Sequence, residues 1–359
     1  MGGDPHNIRA VPVAPAPSET ELAERLAART LSLIDIPSES RSEAAVAEYV
    51  ASELRGAVVE DLGDSCILAY PRETRPRVLL AGHLDTVPAQ DNIPGRVEDG
   101  RVYGLGASDM KGALAVMMEL VLARAPYAAL FFPREELPSS ESALTPLLQR
   151  APVDAEFVVV MEPTNGELHA GCVGNINATW TFRGRSGHSA RPWDADNAIH
   201  AAARGIAAFA AFDREERSFD GLSFFEVASV TRIAGGIAQN VVPDRVDCHV
   251  NYRYAPGRSP DEAQARLREL CAGGELRIES VAPSGPVAVG NPRAQALIAA
   301  GDLRVAPKQA WTPVAEFGAA GLDAVNFGPG APAQAHRRDE SVEIASLVRS
   351  YEVLEAFAT

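Results

Sequence analysis

His83, Asp85, Asp109, Glu135, Glu136, Glu162 and His336 are side chains of the types that bind divalent cations or carry protons. Their placement matters more than their number. His83 and Asp85 close the stretch VLLAGHLD (78–85), in which an apolar run and a glycine lead straight into the pair. On an extended strand, residues two apart point to the same side, so imidazole and carboxylate leave the strand end together. Alone, the pair fits a structural His–Asp contact as well as a metal site. Recurrence gives it weight. The apolar run Ala128–Phe132 leads into Glu135-Glu136, Phe157–Met161 into Glu162, and Ala324–Phe327 into Gly-Pro-Gly and then His336. Asp109 stands in the glycine loop GRVYGLGASDMK (100–111), at the head of a helix expected over Met110–Arg124. By itself Asp109 reads as a helix N-cap, and Glu-Glu as a solvated turn. Together they place carboxylates and imidazoles at the carboxyl ends of strands, the edge where open α/β sheets bind ligands. That donor set suits zinc and related divalent ions.

Two such ions need a carboxylate between them and further ligands on either side. Water held between them ionises near neutral pH, and an unligated carboxylate can carry its proton to a leaving amine. Adjacent residues point differently, so one of Glu135 and Glu136 can bind metal while the other faces a substrate.

The elements that must position these groups follow from the hydrophobic pattern. Near-continuous apolar strands suit a parallel sheet covered on both faces. Helices are expected over Thr20–Leu33, with Ser18 or Thr20 as cap and Pro37 beyond its end, and over Ser42–Leu54; short strands follow at 57–59 and 66–70. The middle of the chain alternates instead. Strand Asn175–Arg183, helix Ala195–Phe212, strands Phe224–Ile233 and Arg245–Tyr254, helix Pro260–Cys271 and strand Glu275–Val281 give the β-α-β-β-α-β order of a ferredoxin-like unit. In Arg245–Tyr254, Val246, Cys248, Val250, Tyr252 and Tyr254 share one face, and Asp247, His249, Asn251 and Arg253 the other. The fold expected is therefore α/β: a mixed, mostly parallel sheet flanked by helices, carrying an inserted ferredoxin-like domain. The boundaries drawn are a flexible tail at 1–19, a catalytic domain at 20–173 and 287–359, and the insert at 174–286.

A chain of 359 residues exceeds the usual size of one core, which favours two domains. The net charge of −15 argues against nucleic acid and against anionic membrane as partners. No run is long enough to span a bilayer, and Met1–Pro17 lacks a basic segment followed by an apolar core, so a cytoplasmic protein is expected. Cys66, Cys172, Cys248 and Cys271 show no ligand spacing and read as small buried hydrophobes in a reducing compartment. His6, His169, His200 and His249 fit no motif and read as structural or exposed.

GHLDTVP (82–88), GLGASDMKG (104–112), Glu135-Glu136, MEPT (161–164), GRSGHSARP (184–192), NVVPD (240–244) and FGPG (327–330) with His336 resemble, in content and order, the M20 family of metallopeptidases, and within it the branch that removes succinyl groups. The resemblance runs from about residue 20 to the C-terminal region. It implies two zinc ions, with cobalt or manganese able to substitute, one held by His83, Asp109 and Glu162 and the other by Asp109, Glu136 and His336. Asp109 would bridge, Asp85 would orient His83, and Glu135 would be the general base and acid. The peptide after the bridging Asp109 would be cis. His188 would reach a neighbouring active site to stabilise the oxyanion, Asn240 and Arg253 would contact substrate, and the inserted domain would pair with its copy in a homodimer. The implied substrate is N-succinyl-LL-2,6-diaminopimelate, hydrolysed to succinate and LL-2,6-diaminopimelate. Acetylornithine or acyl-lysine deacylation and dipeptide or carboxypeptidase cleavage are alternatives that share the same ligands. Two departures bear on substrate choice: Pro313 stands where aspartate is usual, and LPSSESAL (137–144) replaces the Asn-Gly-Leu expected after Glu136. Arg337-Arg338, next to His336, reads as surface charge or as a tuner of the pocket.

Overall fold

The computed structural model describes residues 18–71, 75–151 and 153–358. Most of the tail drawn at 1–19 lies outside these residues, as does His6. Ser18 and Glu19 already belong to structure: Ser18 caps helix Glu19–Ile34 in a reciprocal box with Glu21, its hydroxyl accepting from the Glu21 N–H at 3.3 Å and its own N–H donating to the Glu21 carboxylate at 2.8 Å.

Eight strands form the larger sheet, in the spatial order Val58–Asp61, Ile67–Tyr70, Ala128–Phe132, Val78–His83, Phe157–Val160, Ala324–Asn326, Leu168–Ala170, Val305–Pro307. The four central strands run parallel and carry the long apolar runs. Leu80, Ala129, Phe131 and Val159 face a core shared with helices Glu19–Ile34, Ala44–Glu53, Gly112–Leu122, Pro292–Gly301 and Ile344–Phe357. Their neighbours Leu79, Ala128, Leu130 and Val158 face a second core under Leu144–Arg150 and Val314–Ala319. Burial on both faces explains why these strands do not alternate. Leu168–Ala170 and Val305–Pro307 were not legible in the sequence: each is three residues long and neither has a sustained apolar run.

The helix expected from Met110 begins at Gly112. Ala107–Lys111 is an irregular turn, with Asp109 at φ −126°, ψ 89° and a cis peptide to Met110, as the resemblance implied. The N-cap reading of Asp109 is therefore corrected: it precedes the helix by three positions, its side chain turns to His83, and Lys111 holds the cap position without a side-chain bond. The helix behind it is buried along nearly its whole length and closes on strand Val78–His83 at Gly82, where a Cβ would lie 2.8 Å from both Leu114 Cδ2 and Met110 Cε. Glycine is needed there because helix and strand touch.

The second sheet is antiparallel throughout, in the order Glu215–Phe219, Leu222–Gly235, Arg245–Tyr254, Gly174–Arg183, Glu275–Ala282. The last four have the ferredoxin-like arrangement, and Glu215–Phe219 is an additional edge strand paired as a hairpin with its successor. Val246, Cys248, Val250, Tyr252 and Tyr254 are buried beneath helices Ala198–Phe209 and Pro260–Leu270, as their alternation predicts. All four cysteines are buried and unpaired. Among the described residues no helix is long and apolar enough to cross a membrane.

Candidate active site

The carboxyl ends of the parallel strands converge. His83 ends its strand almost fully buried. Its Nδ1 lies 3.0 Å from the Asp85 carbonyl oxygen and 3.6 Å from Asp85 Oδ1, and its Nε2 lies 3.1 Å from Asp109 Oδ1. The backbone oxygen of Asp85 is thus closer to the ring than the carboxylate on which the sequence reading placed the contact. The Asp85 carboxylate is occupied elsewhere. It accepts from the N–H groups of Glu135 and Glu136, at 3.0 and 3.1 Å, and from the Ser40 hydroxyl at 2.7 Å. It therefore clamps the loop that presents the two glutamates, which opens on Arg134 in the left-handed region at φ 62°.

Asp109 is shared. Oδ1 faces His83, and Oδ2 lies 3.8 Å from His336 Nε2, which in turn sits 2.9 Å from Glu136 Oε1. Glu162 Oε1 is 3.8 Å from His83 Nε2. Ligand atoms of His83, Asp109 and Glu136 lie within 4.8 Å of one another, as do those of His83, Glu135 and Glu162. On geometry alone Glu135 is as near the centre as a ligand.

So many carboxylates in one buried place shift each other. Burial, then the neighbouring Glu162, pushes the Glu135 carboxyl well above its ordinary range. Glu162 is pushed up to about 7 by burial and by Asp109. Burial, the largest single influence on the His83 imidazole, would lower it, but the bonds to Asp109 and Asp85 and the charges of Glu135 and Asp109 together outweigh this and hold it well above its usual value. Glu136 raises His336 to about 9. Glu162 Oε1 is buried with no hydrogen-bond partner. Divalent cations supply both the missing positive charge and the missing partner, so these residues fit a metal pair.

Glu340 has no signal in the sequence, where it closes the charged run Arg337–Glu340, yet it shapes the site. It is buried, and its carboxylate accepts from the N–H groups of Gly106 (2.9 Å), Ser108 (2.9 Å) and Asp109 (3.0 Å), pinning the irregular turn. Glutamine there would turn an amide donor toward one of those N–H groups. E340Q is expected to weaken metal binding by roughly 10- to 100-fold, as loss of a ligand's support does, while the fold persists. Chelator competition measures the affinity, and circular dichroism checks the fold.

A cleft of about 350 Å³ opens over the cluster and is lined from both sheets, by Asn175 and Arg253 of the second sheet and by Lys308 and Trp311, which follow strand Val305–Pro307 of the larger one. Arg253 Nε donates to Asn251 Oδ1 at 3.0 Å, and the Asn251 amide bridges Asn175 and Asn177 at 2.7 and 2.8 Å. Burial lowers the Arg253 pKa, and no carboxylate pairs with it among the described residues. Lys308 went unnoticed in the sequence because Ala-Pro-Lys-Gln carries no pattern. His188 and Asn240 are not in this cleft. They stand together on the exposed surface of the insert, where the short pairing of Gly187–His188 with Val241–Val242 and a 3.0 Å bond from the Ser189 N–H to the Asn240 carbonyl join their loops. Pro313 is buried and does not line the cleft, and Ser139 borders the insert, its hydroxyl 3.4 Å from the Val281 carbonyl. Arg337 and Arg338 pair at the surface with Asp339 and Asp91, both at 2.8 Å, in keeping with surface charge. His169, His200 and His249 lie outside the cluster; His169 is 3.3 Å from Glu167, and His200 is exposed. A larger cavity of about 630 Å³, beside Val78 and Tyr127 at the opposite strand ends, contains none of the cluster residues.

An imidazole–carboxylate cluster at the carboxyl edge of a mixed α/β sheet, with a second sheet over the cleft, defines a metallohydrolase. Residues 79–359 match the model of peptidase family M20/M25/M40, and the chain belongs to that family. It is 36% identical over 340 residues to a Mycobacterium tuberculosis protein assigned as a succinyl-diaminopimelate desuccinylase, covering 91% of this chain and 96% of that one. It is 31% identical over 338 residues to the N-acetyl-L-citrulline deacetylase of Xanthomonas campestris, covering 87% and 90%. The crystal structure of an aminopeptidase from Bacillus cereus superposes with a TM-score of 0.75 over 93% of this chain and 97% of that one; at 19% identity the likeness is one of fold.

Proposed function

We propose that this protein is a dizinc amidohydrolase that cleaves N-succinyl-LL-2,6-diaminopimelate to succinate and LL-2,6-diaminopimelate in the cytoplasm, on the route to lysine and cell-wall precursor. The observation that carries the amidohydrolase reading is Asp109, one carboxylate set between His83 and His336. The succinyl substrate is supported by the 36% identity to the mycobacterial protein along nearly the whole of both chains.

His83, Asp109 and Glu162 would hold one ion, and Asp109, Glu136 and His336 the other; cobalt or manganese fits the same oxygen and nitrogen donors. When bound, the ions polarise the scissile carbonyl and ease ionisation of the attacking water. Glu135, its carboxyl raised by burial and like charges, takes the water's proton and delivers it to the leaving amine nitrogen. Asp85 holds the Glu135–Glu136 backbone in place for that transfer. The Ala190 N–H donates to His188 Nδ1 at 3.0 Å, which leaves Nε2 as the protonated nitrogen and a donor for an oxyanion. Because His188 and Asn240 lie away from the cleft of their own chain, they serve a partner's site in a homodimer formed through the insert at 174–286. The catalytic domain is then 20–173 with 287–359. Arg253 reads a terminal carboxylate of the substrate through its planar fork.

The test is turnover by metal-loaded enzyme on N-succinyl-LL-diaminopimelate, N-acetylornithine and a simple dipeptide. A preference of roughly a hundredfold for the succinyl compound, about 2.7 kcal/mol, is expected. A flat or reversed preference moves the protein to another N-acyl amino acid deacylase, the reading favoured by its 31% identity to the citrulline deacetylase.

A further inference from the structure

The cleft holds a second cation that the mechanism leaves unused. Lys308 follows the edge strand Val305–Pro307 and is 6% exposed, yet it lines the cleft beside Glu135 and Glu162. Among the described residues its Nζ makes a single long hydrogen bond, to the Pro163 carbonyl at 3.4 Å, and the nearest carboxylate oxygen, Glu162 Oε2, is 4.0 Å away. That separation is beyond hydrogen-bonding range. A buried ammonium with N–H groups unspent is costly unless an anion reaches it. The segment is also held in place. The Gln309 side-chain amide accepts from the Phe225 N–H at 3.0 Å and donates to the Phe225 carbonyl at 2.6 Å, and Trp311 Nε1 donates to the Pro283 carbonyl at 3.1 Å. Lys308 is thus presented to the cleft by a backbone tied to the second sheet, with its ordering cost already met in the free protein.

Arg253 and Lys308 reach one cleft from two different sheets, and neither has a carboxylate within hydrogen-bonding distance among the described residues. A substrate with one carboxylate on each side of its scissile amide satisfies both. With the amino-acid carboxylate on Arg253, the acyl carboxylate falls to Lys308. We propose that Lys308 reads the distal carboxylate of the acyl group and so selects dicarboxylic acyl amino acids over simple acyl ones. This inference rests on the desuccinylase reading and names the residue that makes the choice.

The experiment compares N-succinyl- and N-butyryl-LL-diaminopimelate, which differ in a carboxylate against a methyl group, on wild type, K308M and K308R. Calorimetric titration of succinate and butyrate into metal-free and zinc-loaded protein gives a readout apart from turnover. In K308M, kcat/KM for the succinyl compound is expected to fall roughly 10- to 100-fold, the worth of a charge-assisted hydrogen bond, with the butyryl compound within about threefold. Succinate affinity should weaken by a similar factor with and without zinc, butyrate affinity should not change, and K308R should recover part of the loss. If K308M melts early, K308Q carries the same comparison. Equal losses on both substrates with unchanged succinate affinity would mean that Lys308 serves Glu162, overturning the proposal. A wild type that prefers succinyl and a K308M variant that keeps the preference overturn this proposal alone; a wild type with no preference overturns the desuccinylase reading as well.

Discussion

Exchanging Glu135 for Gln is expected to lower kcat by roughly 10²- to 10⁴-fold, the range seen when a general acid–base is removed, with metal content and KM nearly unchanged. The Glu135 side chain has no hydrogen-bond partner among the described residues; only its backbone N–H is held, by Asp85. Burial and the nearby Glu162, Glu136 and Asp109 favour the protonated form, against the opposing charge of His83, so the side chain is a ready proton acceptor. Glutamine keeps the shape and loses that capacity. The same position tests a rival, because Glu135 also groups with His83 and Glu162 at ligand distances. Metal analysis beside steady-state kinetics separates the two. Full metal with slow turnover supports the proton carrier. Lost metal makes Glu135 a ligand, and a loss under tenfold puts the proton carrier elsewhere.

Asp109→Asn should have the larger effect on metal. Among the described residues Asp109 is the one carboxylate whose two oxygens face two different imidazoles, 3.1 Å from His83 and 3.8 Å from His336. Asparagine offers one neutral oxygen in place of two charged ones, so it can serve at most one ion and no longer offsets the repulsion between two. D109N is expected to retain less than one ion per chain and to hydrolyse substrate at the background rate. H336A, which removes a ligand from one side only, should keep close to one. Elemental analysis after dialysis against a weak chelator reads both. Two ions retained in D109N would rule out the shared position.

How much of this was legible follows from what each signal depends on. The parallel strands, the alternating strand Arg245–Tyr254 and the residues at the strand ends could be read because each lies in a short local pattern: an unbroken apolar run, a period of two, a carboxylate or imidazole just past the run. The resemblance added the division of these residues into two ligand sets and the cis peptide after Asp109. By itself Asp109 reads as an N-cap, a position that Lys111 holds instead. A glycine loop before an apolar helix looks the same in sequence whether the helix starts one residue or three residues later, and the bonds that unwind the turn come from Glu340, more than two hundred positions away.

The sequence by itself determined the chemistry available to this protein: which ligand types it carries, which strands bring them to one edge, and that an antiparallel unit interrupts the chain. Only the tertiary structure decided how those groups meet. It turned the Asp85 carboxylate to the Glu135–Glu136 backbone while its carbonyl faces His83, brought Lys308 and Arg253 from different sheets to one cleft, and left His188 and Asn240 together on the outside. The physical reason is common to all of these. Hydrophobic periodicity is written residue by residue, whereas hydrogen bonds and charge contacts between distant segments exist only once packing has fixed the distances between them.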